Sequence, residues 1–206
     1  MRRLGLIFCL LLGLTLVPFQ AQGVSAAGTN SVCLDPGHGG SDIGTSNGDI
    51  LEKDLNLDVT NRLAALLTAN GYTVYQTRTG DETLSNNDRY TFCNARQATI
   101  LVSVHHNGST NPSIDYSLGL YMKRSDVPLA TAVVDAVSKK LGTPNNGIRK
   151  FSSGVLIKSN MPATISEGFF LTSSAEYALL TNGTDQRRQD EAQALYTGIA
   201  NYFAAR

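Results

Sequence analysis

The sequence lacks the features that most directly announce a binding function. Basic charge is not in excess: 17 lysines and arginines face 17 aspartates and glutamates, so no net positive field can hold nucleic acid or an anionic polymer by bulk electrostatics. No internal repeat and no low-complexity tract interrupts the chain, and the short helical zinc signatures are missing. Histidine is scarce, with three in 206 residues, and cysteine equally so, with three. Long apolar runs are wanting too. The uncharged stretch from Leu4 to Val17 is too brief to cross a bilayer comfortably. What remains, 42% hydrophobic and 17% charged residues, is the make-up of an ordinary soluble globular protein.

That apolar stretch follows Arg2 and Arg3 and leads to the small residues Val24-Ser25-Ala26. A basic start, a short apolar core and a small-residue cleavage site predict a secretory signal peptide over residues 1–26, with an uncleaved membrane anchor as the alternative. Residues 27–206 then form the mature chain, secreted or periplasmic. It holds 180 residues, enough for one domain with a sizeable core, and carries 15 basic against 17 acidic residues, a formal charge of −2. Of its two cysteines, Cys33 falls in a predicted core strand and Cys93 in a predicted helix. Secretion invites a disulfide, but buried free cysteines behave as small hydrophobes, and that pattern favours two free thiols.

The chain alternates strand and helix patterns. Ser31 to Leu34 is an apolar run that reads as a buried strand, stopped by the tight turn of Pro36-Gly37-His38-Gly39-Gly40. A polar loop, Ser41 to Asp49, precedes a helix whose Leu55, Val59, Leu63, Leu66 and Leu67 recur with helical spacing until Asn70-Gly71. Further strands are predicted over Tyr72–Thr77, Thr99–Val104, Leu118–Met122, Gly154–Ile157 and Ala163–Ser166. Helices are predicted near 87–96, over Val127–Leu141 and near 185–203, and 142–147 reads as a loop. The implied fold is a single layered α/β domain, with a mostly parallel or mixed sheet of about six strands and helices on both faces.

Every histidine lies just past a predicted strand. His38 ends the first, and His105 and His106 close the run Thr99–Val104. Ligands of open α/β sheets bind at such strand ends, although a lone histidine in a glycine turn is more often incidental. Alternation along an extended chain sends His105 and His106 to opposite sides, so one of them enters a site. Two acids join them. Glu52 begins the first helix, where helix capping is the competing role. Glu167 ends the strand Ala163–Ser166, where a salt bridge to Arg78 or Arg89 is the competing role, since a buried unpaired carboxylate is costly. Two imidazoles and a carboxylate make a three-ligand, open zinc site, and a second carboxylate nearby can take a proton from water.

The segments Val32 to Gly40, Glu52-Lys53-Asp54-Leu55-Asn56-Leu57, Thr77-Arg78 with Asp81, Arg89, Ser103-Val104-His105-His106-Asn107 and Pro162 to Gly168, taken in order, resemble the zinc-dependent N-acetylmuramoyl-L-alanine amidases of the Amidase_3 type. The resemblance spans essentially the whole mature chain. It implies a cell-wall enzyme with peptidoglycan as substrate; the charge balance predicts no nucleic-acid partner, and a monomer is expected. The enzyme would cut the amide between the lactyl group of N-acetylmuramic acid and the L-alanine of the stem peptide. Carried over position by position, it implies one zinc per chain held by His38, Glu52 and His105, with Glu167 as the catalytic carboxylate. Arg78, Arg89 and Asn107 are weaker candidates, for substrate contact or for holding a loop. The chain departs from the family at His106, where a small residue is usual, and at Phe169, where a second glycine is frequent. The segment between Asn107 and Leu118 is short, unlike members with an inhibitory helical insertion there. A zinc peptidase acting within the stem peptide, and a wall-binding protein without catalysis, are the competing functions.

Overall fold

Side-chain alternation along two largely buried strands sets the architecture. In a computed structural model describing residues 30–206, Val32 and Leu34 on one strand and Ile100, Val102 and Val104 on another join one apolar layer, while Cys33 and Leu101 join a second on the opposite face. Strands buried on both faces are the mark of a parallel sheet covered by helices. The expected signal peptide, residues 1–26, lies outside the described residues.

The elements are β1 (Ser31–Pro36), a hairpin of β2 (Ser46–Asn47) and β3 (Ile50–Leu51), α1 (Glu52–Ala69), β4 (Thr73–Gln76), α2 (Asn86–Ala95), β5 (Ile100–Asn107) and β6 (Ser117–Tyr121). After a 3-10 turn (Arg124–Asp126) come α3 (Val127–Leu141), β7 (Asn145–Lys150), α4 (Gly154–Lys158), β8 (Ala163–Phe170), α5 (Ser174–Leu180) and α6 (Gln186–Ala204). The six-stranded sheet runs β4-β1-β5-β8-β6-β7. The first four of these are mutually parallel; β6 runs antiparallel to β8, and β7 parallel to β6. The expected layered α/β fold, with a mixed and mostly parallel sheet, is therefore what the chain adopts.

Local chemistry explains the helices that cover it. α3 has Pro128 in its first turn and stops at Gly142, whose φ of 72° is left-handed. Its Leu129, Val133 and Val137 pack with Leu55, Val59 and Leu63 of α1 and with Leu195 and Ile199 of α6 over one face of the sheet. α6 and α3 approach so closely that a Cβ on Gly198 would lie 2.7 Å from the Val133 Cα. The other face is covered by α2 and α4.

Three expectations need correction. Cys33 and Cys93 form a disulfide, with an S–S distance of 2.05 Å. Cys33 points to the α2 face of the sheet and meets Cys93 under that helix, a packing that spacing along the chain did not reveal. Gly154–Ile157 is not a strand but most of α4, capped by Ser153, whose Oγ accepts from the Val155 amide at 3.3 Å. A short apolar run does not distinguish the two states. The sixth strand is β7, whose first half falls in the 142–147 segment expected to be loop, and its exposed residues suit the edge position it occupies.

Candidate metal centre

The parallel strands β1, β5 and β8 all end at the same rim of the sheet, and each delivers one group to it. At the end of β1 the chain turns sharply, and His38 adopts a left-handed φ of 59°, a conformation that non-glycine residues take only at some cost. The glycines around it admit rings rather than flexibility alone. A Cβ on Gly37 would lie 2.2 Å from the His105 imidazole, and one on Gly44 would lie 2.5 Å from Glu52 Oε2 and 2.7 Å from the His38 ring.

Glu52, the first residue of α1, is 2% exposed. Its Oε2 accepts from the Thr45 amide at 2.8 Å, and its Oε1 accepts from the His106 amide at 3.1 Å. Oε1 also stands 3.1 Å from His38 Nε2 and 3.2 Å from His105 Nδ1. One ligand atom from each of His38, Glu52 and His105 falls within 4.8 Å of the others. Bonds of the length zinc makes to nitrogen and oxygen give a tetrahedron with edges of about 3.3 Å. The two short separations therefore fit such a donor set. His38 Nδ1 lies 2.9 Å from Asp42 Oδ2, which leaves its Nε2 for the centre. Burial opposes charge on His38, but the Glu52 and Asp42 carboxylates outweigh it and push the imidazole pKa up to about 9. Burial likewise opposes charge on Glu52, but bonds to His105 and His38 hold its pKa well below the usual carboxylate range. The pocket thus favours positive charge.

Glu167 pairs across the β5–β8 ladder with His105 and faces the same cleft, a cavity of about 440 Å³ also lined by Leu84, Leu120 and the half-exposed Phe151. Its Oε2 is buried without a hydrogen-bond partner among the described residues. Burial raises the Glu167 pKa, and the Glu52 charge adds to the rise against the opposing pull of His105. A carboxyl placed so is suited to exchanging a proton.

The remaining expected residues separate by role. Arg78 is buried, and its guanidinium donates to the carbonyls of Pro36, Gly37, Lys53 and Gly80 at 2.8–3.0 Å. Arg89 pairs with Asp35 at 2.8 Å and donates to the Pro36 and His38 carbonyls at 2.8 Å. Both bind the glycine turn from beneath, and the Glu167 salt bridge is formed by neither. Asn107 lines the cleft, its Nδ2 without a partner among the described residues. The His106 ring turns away from the cleft toward Glu191 and Phe169 in the opposite layer, as alternation predicts. Two partners went unread in the sequence: Asp42, an acid four residues past His38, and Asn56, one helical turn past Glu52 and bonded to it at 3.4 Å.

A strand-end cleft holding two imidazoles, one carboxylate among them and a second carboxyl alongside is the outline of a metal-dependent hydrolase. A family model described as N-acetylmuramoyl-L-alanine amidase, Amidase_3, matches residues 32–201. The chain belongs to this family, and hydrolysis of the peptidoglycan amide is the activity the family carries. It is 30% identical to the uncharacterized protein YqiI of Bacillus subtilis over 93% of each chain. It is 28% identical to the N-acetylmuramoyl-L-alanine amidase LytC of the same organism, covering 84% of this chain but 35% of LytC. Among solved structures, an N-acetylmuramoyl-L-alanine amidase of Clostridium difficile 630 superposes with a TM-score of 0.80 at 30% identity, over 86% of this chain and 98% of that one. AmiC2 of Nostoc punctiforme gives 0.79 at 30% identity, over 84% and 97%.

Proposed function

We propose that this amidase acts at the cell wall, as a secreted monomer released from residues 1–26, through one zinc held by His38, Glu52 and His105. The observation that carries the reading is the convergence of those three donors beside the partnerless carboxyl of Glu167. Zinc, when bound there, supplies a Lewis acid that polarises a carbonyl oxygen and acidifies water. Glu167 accepts the proton of the water that attacks the lactyl carbonyl. It then hands that proton to the L-alanine nitrogen as the carbon–nitrogen bond breaks, and the second proton of the water passes from the new lactyl carboxylic acid to the amine or to solvent, leaving a carboxylate and an ammonium or free amine. Asp42 holds the His38 ring, while Arg78 and Arg89 hold the turn that carries it.

Mass analysis of digested peptidoglycan tests the reading. Intact stem peptides released with a free L-alanine amine are the expected products. Stems trimmed within the peptide would make the protein a peptidase, and the absence of products would make it a binder.

A further inference from the structure

Behind the centre lies a buried polar group in a layer that is mostly apolar. His106 and Glu191 have fully buried side chains, and His106 Nε2 lies 2.9 Å from Glu191 Oε2. The other ring nitrogen, Nδ1, lies 2.7 Å from Asn56 Oδ1. Asn56 is itself oriented by its amide nitrogen, which donates to the Gly37 carbonyl at 3.2 Å and to Glu52 Oε1 at 3.4 Å. The chain of contacts therefore runs from α6 to the oxygen of Glu52 that faces both His38 and His105.

Space has been left for it. A Cβ on Gly168 would lie 2.2 Å from Glu191 Oε1, so the glycine after Glu167 lets the α6 carboxylate reach the ring. The His106 ring packs on Phe169, with centroids 4.3 Å apart. Stability alone does not account for such a group, because apolar residues of similar volume replace a buried ion pair at no loss and often with a gain. What an apolar pair could not do is hold Asn56 against Glu52.

We infer that His106 and Glu191 are positioning residues that act through Asn56 to fix the Glu52 carboxylate in its metal-holding orientation, and so set zinc affinity. The inference rests on the proposed role of Glu52 as a ligand. A partner one step behind a ligand, as Asn56 is here, typically changes metal affinity by about 10-fold to 100-fold, which bounds from above the effect of residues acting through it.

The test is a chelator-competition titration with zinc alone, alongside thermal unfolding of the zinc-free protein. The double variant His106→Leu with Glu191→Leu is expected to unfold at or above the wild-type temperature yet bind zinc more weakly, by about 10-fold and at most about 100-fold. Glu191→Gln, which can still bond the ring, should keep near-wild-type affinity. If the double variant does not fold, Asn56→Ala decides, because it cuts the link while leaving His106 and Glu191 paired. Wild-type affinity in whichever of the two variants decides overturns the inference. Failure of the wild-type protein to bind zinc would instead overturn the reading of the centre itself.

Discussion

His105 and Glu167 stand directly opposite one another on the adjacent parallel strands β5 and β8. Matched residues of a ladder share a face, so the register that turns His105 into the cleft turns Glu167 with it. A slip of one residue between the strands would leave one of them in the cleft and send the other into the opposite layer. His38 and Glu52 have no such guarantee, since they come from a turn and from a helix start. Hydrogen bonds from Thr45, Asn56, Arg78 and Arg89, together with the Asp42 contact, do for them what the sheet does for the other two.

Asp42 is the most exposed of these supports, and it contacts the ring nitrogen turned away from the centre. Asp42→Ala should leave the fold intact and weaken zinc binding by about 10-fold to 100-fold. Chelator competition measures this, and an unchanged affinity would show that the turn alone orients His38.

Asp35 is buried, and although burial pushes its pKa up, Arg89, with help from Thr77 and Ser103, holds it below the usual carboxylate range. A depressed pKa adds stability above the unfolded-state value, near pH 3.8, and that stability is lost as pH falls further toward the folded-state pKa. Removing one partner of a buried pair costs about 3–5 kcal/mol. Asp35→Asn should therefore be less stable at neutral pH, with the gap to wild type narrowing in acid. Urea unfolding across that range checks the sign, and a gap independent of pH would assign the loss to packing.

The Cys33–Cys93 bond closes a loop spanning 60 positions. In the chain-entropy account such a link is worth about 4 kcal/mol, acting through the unfolded state. Replacing both cysteines by alanine should lower stability toward that amount. The effect should vanish when both proteins are compared under strong reductant. A difference that survives reduction would come from lost packing volume.

Much of this architecture was legible because its signals are local. The apolar spacing of α1 and α3, and the buried runs before His38 and His105, state their own periodicity, and alternation alone sends His105 and His106 to opposite faces. The illegible parts depend on distant partners. Cys33 meets Cys93 only because α2 lies over that face of β1. Glu191 meets His106 across 85 positions, with no local pattern in α6 to mark it. The segment at Gly154 was ambiguous for another reason: four apolar-leaning residues satisfy a strand and a single helical turn equally well.

The sharpest test separates the two acids of the cleft. Glu52 is wrapped by donors and stands between two imidazoles, so its charge is needed where the metal would sit. Glu167 has a buried oxygen with no partner among the described residues and a raised pKa, which suits the proton-accepting role proposed for it. Glu167→Gln keeps size and polarity but removes the acceptor. Positioned acid–base groups contribute about 100-fold to 10,000-fold in rate, so this variant should keep zinc and fold while losing turnover on that scale. Glu52→Gln withdraws an anionic donor and should lose zinc as well as activity. Zinc content and stem-peptide release, measured on both variants, distinguish the roles. If Glu167→Gln sheds its metal while Glu52→Gln retains metal and turnover, the two assignments are exchanged, and the carboxyl opposite His105 is the ligand.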